Sequence, residues 1–515
     1  MRQTVAILGT PVDILDMNQT LGRLEQFIQE RHFHQIATAN TDFLVNAMSD
    51  PELQHILRNA DLVVPDGMPL VWASRIMGSP LPERVTGADL VPRLAALAAQ
   101  KGYRIYMLGG RPEVAQCAKA RMEADYPGIQ IVGCTSPPPA SILEMDGDAL
   151  LRDIERAAPD ILLVAFGNPK QEKWIHLHRE RLRNVPVCIG VGGTFDFIAG
   201  EVPRASAALQ KSGFEWMHRL AHNPRYLWKR YGRDLMQAGP SLWQQWRTLR
   251  KLPSVGKFSM CLKEVNDCAI LVLKGDFKSA ALSQFHATTQ DLLNDGAYLI
   301  LDLEEVVSLD AASLGTLINL QKRAIYCGRE VSLVNVPPRL ARALRCSQIQ
   351  EEFMPVADSV AQAVVERPQS GLSWRVQCGQ EAAVITVKGT SDQETTAPLE
   401  RICECLLEDG IQVDIDVRGV SYIDTALLAV FYRLQRLHTN GKSTRFRLVA
   451  GSRFVKALTK EKLLDLFTLC ESTKVPHDAR DLPPLLLETR NSHRNGGADA
   501  AHLESARNFS VASAS

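Results

Sequence analysis

The sequence predicts an α/β protein: a largely parallel sheet covered by helices, followed by two smaller α/β domains that are copies of one another. Three observations predict it. Short apolar runs alternate with longer amphipathic ones as far as Val191, the rhythm of strand and crossover helix. Beyond Pro253 three landmarks return at one offset: Gly275 with Gly389, Asp302 with Asp416 and Asp310 with Asp424, each pair 114 residues apart. A fixed offset of that size marks a duplicated domain. The 515 residues are also too many for a single core.

The strand-like runs of the first domain are 5–8, 35–38, 62–64, 104–108, 129–132, 161–165 and 187–191. Helical patterns fill the gaps, as at 89–100 and 114–125. The stretch ADLVVPDGMPLVW (60–72) organises the domain. Pro65 stops the apolar run, Asp66-Gly67 turns the chain, and 68–77 continues as a helix with Pro69 in its first turn, where a missing N–H costs little. Asp66 then either caps that helix or stands at the carboxyl tip of a buried strand, where open α/β sheets build their sites.

Residues 214–251 change character. They hold four of the seven Trp and a run of cations that includes Arg219, Arg225, Lys229, Arg230, Arg233, Arg247, Arg250 and Lys251. Aromatics interleaved with Arg and Lys on a helix fit an interfacial membrane segment. A helix packed on the domain with its cations in water fits the pattern too. After it, LVLKGDF (271–277) returns as ITVKGTS (385–391), and LILDLEEVVSLDAASLGTL (299–317) as VDIDVRGVSYIDTALLAVF (413–431). The expected boundaries are 1–251, 257–366 and 373–478, with a tail at 491–515 that lacks large apolar residues and is expected to be disordered.

Composition narrows the function. The apolar fraction of 45% and charged fraction of 23% are those of globular protein, and a formal net charge of zero argues against a nucleic-acid partner. Eleven Cys are scattered without zinc spacing, as expected for reduced thiols. No apolar run approaches the roughly 18 residues of a spanning helix, and the run at 5–8 is too short for a signal peptide. The expected location is therefore cytoplasmic, or peripheral on the inner membrane face.

Four stretches place Gly, carboxylate, amide and Arg at strand ends: TANTDF with Thr38, Asn40 and Asp42; PDG with Asp66; FGNPKQEKW with Gly167, Asn168, Lys170, Gln171 and Glu172; and VGGTFDFIAG after 187–191. Any one could be a turn. Four at the ends of parallel strands converge on one rim. A fifth, LGGRPEVAQ, sets Gly109-Gly110 between strand and helix, either as amides facing a phosphate or as a tight structural turn. No P-loop, dinucleotide fingerprint or obvious metal cage is present in the sequence, so neither a cofactor nor a metal is expected.

TANTDF, ADLVVPDGMPLVW, PLPERVTGADLV, FGNPKQEKWI, VGGTFDFIAG and EWMHRL…NPRYLWKRY, in that order over about 4–236, resemble the WecG/TagA/CpsF glycosyltransferases, glycosyltransferase family 26. The resemblance implies a Rossmann-like fold. It also implies an inverting, metal-independent transfer from a UDP-sugar donor to a polyprenyl-diphosphate-linked saccharide acceptor at the cytoplasmic membrane face. By motif match, Asp66 is the general base that deprotonates the acceptor hydroxyl. Arg84 and Gln171 match site positions, and Thr38 and Asn40 match a sugar-contacting pair. Arg219, Arg225 and Arg230 match a C-terminal segment that completes the site and seats the enzyme on an anionic membrane surface.

The repeats resemble STAS domains, the fold of anti-sigma-factor antagonists, through LDLEEVVSLD and AASLGTL, more weakly through DTALLA in the second copy. Where that family carries a phosphorylated Ser, this chain has Ala312 and Ala426, with Ser313 and Thr425 adjacent. The copies are therefore expected to act as docking modules for a protein partner rather than as phosphoswitches. A chain ending near Lys251 is then expected to keep transferase activity. The alternative is a regulatory protein whose transferase-like domain senses a nucleotide sugar for a STAS-type partner system. A nicotinamide oxidoreductase is poorly supported, because Gly109-Gly110 lacks the fingerprint.

Overall fold

A computed structural model describes residues 2–205, 224–265 and, with short gaps, 268–353 and 372–470, with isolated residues between these stretches. The tail at 491–515 and Arg219 lie outside the described residues. The chain forms two compact units, the first holding Met1–Gly371 with Thr390–Ala397 and Tyr422–Arg433, the second holding Leu372–Gly389, Pro398–Ser421 and the chain from Leu434.

The first unit opens with a hairpin, β1 (Thr4–Ile7) and β2 (Thr10–Asp13), antiparallel and separate from the main sheet. This corrects the expectation that the run at 5–8 joins the parallel sheet. Leu8 and Gly9 both have positive φ, 47° and 79°, the geometry of a two-residue hairpin turn.

The main sheet has six strands: β3 (His34–Ala39), β4 (Leu62–Pro65), β5 (Arg104–Gly109), β6 (Gln130–Thr135), β7 (Ile161–Ala165) and β8 (Val187–Gly190). Their order is β4-β3-β8-β7-β5-β6, and every neighbouring pair is parallel. The strands expected from 35–38 through 187–191 all fall within a residue or three of these bounds. β3, β4 and β8 are buried at every position, as expected of strands covered on both faces.

The helices follow local signals. Asp16 and Gln19 form a capping box at α1 (Met17–Glu30). Asn40 caps α2 (Thr41–Ala47), and Asp50, with Pro51 next to it, caps α3 (Pro51–Asn59). α4 (Met68–Ile76) follows the PDG turn, and α5 (Gly87–Lys101) runs from Thr86 to a left-handed Gly102. α6 (Pro112–Asp125), α7 (Gly147–Ala157), α8 (Lys170–Leu177) and α9 (Thr194–Ile198) complete the layers. α10 (Pro224–Arg250) is one helix with Pro240 inside it.

The first repeat belongs to the same compact unit. Its sheet orders β12 (Val331–Val334), β11 (Tyr298–Leu309), β10 (Cys268–Phe277) and β9 (Phe258–Val265), with β9 antiparallel to β10 and the other pairs parallel. Among the described residues three helices accompany it: α11 (Leu282–Asn294), α12 (Ala311–Tyr326) and α13 (Pro338–Cys346). At the start of α12 the Asp310 carboxylate accepts from Ser313 N at 2.7 Å, and Ser313 Oγ accepts from Asp310 N at 2.9 Å. Ser313 is fully buried.

In the second unit the strands run in the order Leu372–Cys378, Ala382–Thr390, Gln412–Tyr422, Phe446–Val449, Leu469–Cys470. The first pair is antiparallel, and Phe446–Val449 pairs in parallel with its neighbours on both sides. The first four of these strands follow the order of β9 to β12, and both sheets begin with an antiparallel pair.

Candidate active site at the carboxyl rim

The carboxyl ends of β4, β3, β8 and β7 stand side by side, and each of the four motif stretches leaves one of them. Asp66 follows β4. Its backbone N–H donates to Ala39 O of β3 at 2.7 Å, which ties the turn to the neighbouring strand. The residue at the N-cap of α4 is Gly67, and no side chain caps that helix. The Asp66 carboxylate instead accepts from Gly87 N at 3.3 Å. Of the two roles the sequence allows for Asp66, cap of the helix that follows it is excluded. The side chain sits half-buried at the strand tip.

Thr38, Asn40 and Arg84 surround this point. Thr38 is buried and its hydroxyl donates to Gly190 O at 2.9 Å, joining β3 to β8. The side-chain oxygen of Asn40 accepts from Phe43 N at 3.2 Å as the α2 cap. Val85 N donates to Pro65 O at 2.8 Å, so the PERVTG loop runs beside the end of β4. That places Arg84 near the rim, where its guanidinium donates to Glu215 at 2.5 Å and lies 3.9 Å from Asp89.

Gln171 is placed differently from a ligand-facing residue. It is 1% exposed, and its side-chain oxygen accepts from Gly167 N at 3.1 Å and Gly192 N at 3.0 Å. Its amide donates to Glu172 at 2.7 Å. One buried amide thus holds together the two glycine turns that follow β7 and β8. Glu172, which the sequence did not single out for a role, anchors this bracket. It also accepts from Asn168 at 2.9 Å, and Asn168 in turn accepts from Asn46 at 2.8 Å. Burial pushes the Glu172 carboxyl up to about 7, against the opposing pull of the bonds from Gln171 and Asn168. Gly190 makes the arrangement possible, since a Cβ there would lie 2.5 Å from the Gln171 amide and 2.6 Å from Glu172.

Gly109 and Gly110 adopt the tight-turn alternative. Gly110 N donates to Ala165 O at 3.0 Å, and a Cβ on Gly109 would meet the same carbonyl at 2.8 Å. Arg230 lies 3.9 Å from both Asp42 and Asp234, and Arg233 bonds both of those carboxylates. The segment expected to complete the site is therefore tied to TANTDF through Asp42. The side chain of Arg225 lies outside the described residues. Among the described residues one group could hold a metal ion, Glu30 with His32 and His34. It stands at the amino end of β3, away from the rim.

A parallel sheet whose carboxyl rim carries a half-buried carboxylate, an Arg and an amide places the chain among α/β enzymes of group transfer. The family described as "Glycosyl transferase WecG/TagA/CpsF family" matches residues 5–252, and "Mlab, STAS domain" matches 261–355. A Bacillus spizizenii protein is 35% identical over 195 residues, 38% of this chain and 73% of its own length. One from Bacillus subtilis (strain 168) is 31% identical over 229 residues, 44% of this chain and 87% of its own. One from Staphylococcus aureus (strain MRSA252) is 28% identical over 231 residues, again 44% and 87%. All three carry the name N-acetylglucosaminyldiphosphoundecaprenol N-acetyl-beta-D-mannosaminyltransferase. The chain belongs to the WecG/TagA/CpsF family of glycosyltransferases, and a STAS domain follows its transferase domain.

Proposed function

We propose that this protein transfers an N-acetylhexosaminyl group from a UDP-sugar to a polyprenyl-diphosphate-linked saccharide in the synthesis of a cell-surface polymer, with inversion at the anomeric carbon. The observation that carries the reading is Asp66, a half-buried carboxylate at a strand tip that does not cap the helix following it. In the reaction the acceptor hydroxyl attacks the anomeric carbon while Asp66 takes its proton. The bond from that carbon to the UDP oxygen breaks, and its electron pair leaves on the phosphate. Arg84 supplies positive charge for that oxygen, Asn40 and Thr38 contact the sugar, and Gln171 shapes the two glycine turns. The names of the relatives, which specify a diphosphoundecaprenol-linked acceptor, support this class of acceptor.

The other rim carboxylates are already engaged: Asp42 by Arg233, Asp89 by Arg204 and Glu215 by Arg84. No metal enters this reading of the step, in which Arg84 meets the leaving diphosphate, so turnover is expected to persist in EDTA. Arg84→Ala is expected to lower kcat/KM for the donor by roughly 100-fold, as for loss of one charge-stabilising donor. Complete loss of UDP release in EDTA, restored by magnesium or manganese, contradicts this account.

The acceptor is a lipid, and α10 is built to meet one. Asp234, Ala238 and Gln245 are buried on one side. Trp228, Leu235, Met236 and Trp243 are 70%, 72%, 76% and 54% exposed, an apolar stripe at helical spacing. Arg247 lies over Trp243 at 4.8 Å and Arg250 over Trp246 at 5.3 Å. Apolar insertion beside cations fits peripheral binding to an anionic membrane. Trp228→Ser with Trp243→Ser is expected to abolish flotation with anionic liposomes and leave the fold intact. Equal flotation of the variant would remove α10 as the membrane contact.

We read the second repeat as a further STAS copy, supported by the 114-residue offset and the shared strand order.

A further inference from the structure

The first STAS-like domain lays its helix α12 along the β1–β2 hairpin of the transferase. A Cβ on Gly315 would lie 2.6 Å from Thr4 Oγ1 and 2.7 Å from Thr4 O, so backbone meets backbone there. Asn319 donates to Thr4 Oγ1 at 2.9 Å. One turn on, the Lys322 ammonium donates to Asp61 at 2.8 Å and to Ala60 O at 3.0 Å. Asp61 immediately precedes β4 and also accepts from Gln35 N of β3 at 3.0 Å. From the hairpin, Arg2 donates to Ala60 O at 2.7 Å and bonds Asp13, which accepts from Val63 N of β4 at 2.7 Å. The cores are shared as well. Ala311 packs with Leu53, Leu57 and Val63 of the transferase, and Ala6 packs with the STAS core. Gln245 of α10 closes the hairpin turn through Leu8 N and Ala6 O, at 3.1 and 2.9 Å, and α13 packs against α10.

We infer that the first STAS-like domain has this chain's own transferase as its partner, and that Gly315, Asn319 and Lys322 are positioning residues that fix the start of β4 and so the tip that carries Asp66. The face differs in sequence between the two copies. The equivalent positions of the second copy are Ala429, Arg433 and Arg436, which lack the small Gly, the amide and the Lys. This revises the expectation that both copies are free docking modules and that a chain ending near Lys251 keeps its activity. Such a chain would expose Ala6, Thr4 and Asp61, all of which pack or pair with the domain it lacks. It also gives Ser313 a structural place, since its hydroxyl is held by the backbone of Asp310 and its side chain is inside the shared core.

The proposal depends on the reading of Asp66 only for its second readout. Lys322→Met in the full-length protein leaves Asp61 without its cation. Hydrogen exchange followed by mass spectrometry is expected to show at least tenfold faster exchange over 60–66. UDP release is expected to show a kcat lower by roughly 10- to 100-fold with little change in donor KM, the signature of a misplaced group rather than a lost contact. Lys322→Arg should restore most of both. Should Lys322→Met fail to fold, Asn319→Ala removes one hydrogen bond and should raise exchange over 4–13 selectively. Unchanged exchange at 60–66 in a folded Lys322→Met protein overturns the brace. Faster exchange with unchanged kcat overturns its link to Asp66 while leaving the transferase reading intact.

Discussion

Asp66→Asn is expected to abolish turnover, with kcat falling by roughly 10²- to 10⁴-fold, the usual effect of losing a general base. The substitution is nearly isosteric. The introduced amide would keep an oxygen to accept from Gly87 N, the bond that now holds the carboxylate, and the backbone bonds to Ala39 and around Pro65 are untouched. Donor binding, thermal stability and exchange at 60–66 should therefore stay near those of the parent. The separation matters, because a variant that lost donor affinity and stability together would report a damaged loop. A folded Asp66→Asn enzyme with near-parental kcat would remove Asp66 from the chemistry.

A stability effect of comparable size is expected from Glu172. Its carboxyl is held at about 7 in the folded chain, against 4.5 for the ordinary group. Folding thus favours the protonated form. The cost of ionising Glu172 inside the protein is absent below about pH 4.5, grows as pH rises to about 7, and stays constant above that. From the size of the shift the cost is about 3 kcal/mol. Wild-type stability measured by denaturant titration should therefore fall between about pH 4.5 and pH 7. Glu172→Gln cannot ionise, so that part of the slope should vanish whatever the variant's mean stability. An equal slope in the two proteins contradicts the assignment.

Much of this was legible in the sequence because the signals are local. The parallel strands announced themselves as short apolar runs, and Asp66 as a carboxylate directly after one of them. The hairpin at Thr4–Asp13 was harder, because β1 shows the same apolar run as a buried parallel strand. Only Gly9 and the TPVD that follows distinguish it. Gln171 reads as a ligand donor in any strand-end motif. Its occupation by Gly167 and Gly192 depends on a turn 21 residues away. The union of α12 with the hairpin joins Thr4 to Gly315 and Asp61 to Lys322, pairs separated by most of the transferase sequence. Small residues such as Ala6 and Ala311 carry no mark of the partner they pack against.

The central claim is transfer to a lipid-linked acceptor, and one assay tests it most directly. Full-length protein is incubated with a UDP-N-acetylhexosamine, in turn each of the common epimers, and a polyprenyl-diphosphate-linked N-acetylglucosamine in detergent or liposomes. UDP release is followed together with the mass of the lipid product. The account predicts, for at least one donor, UDP formed in step with an acceptor heavier by one N-acetylhexosamine residue, and neither in the absence of acceptor. A donor that binds tightly yet is never consumed, across these epimers and with the acceptor present, would contradict it and point to a nucleotide-sugar sensor.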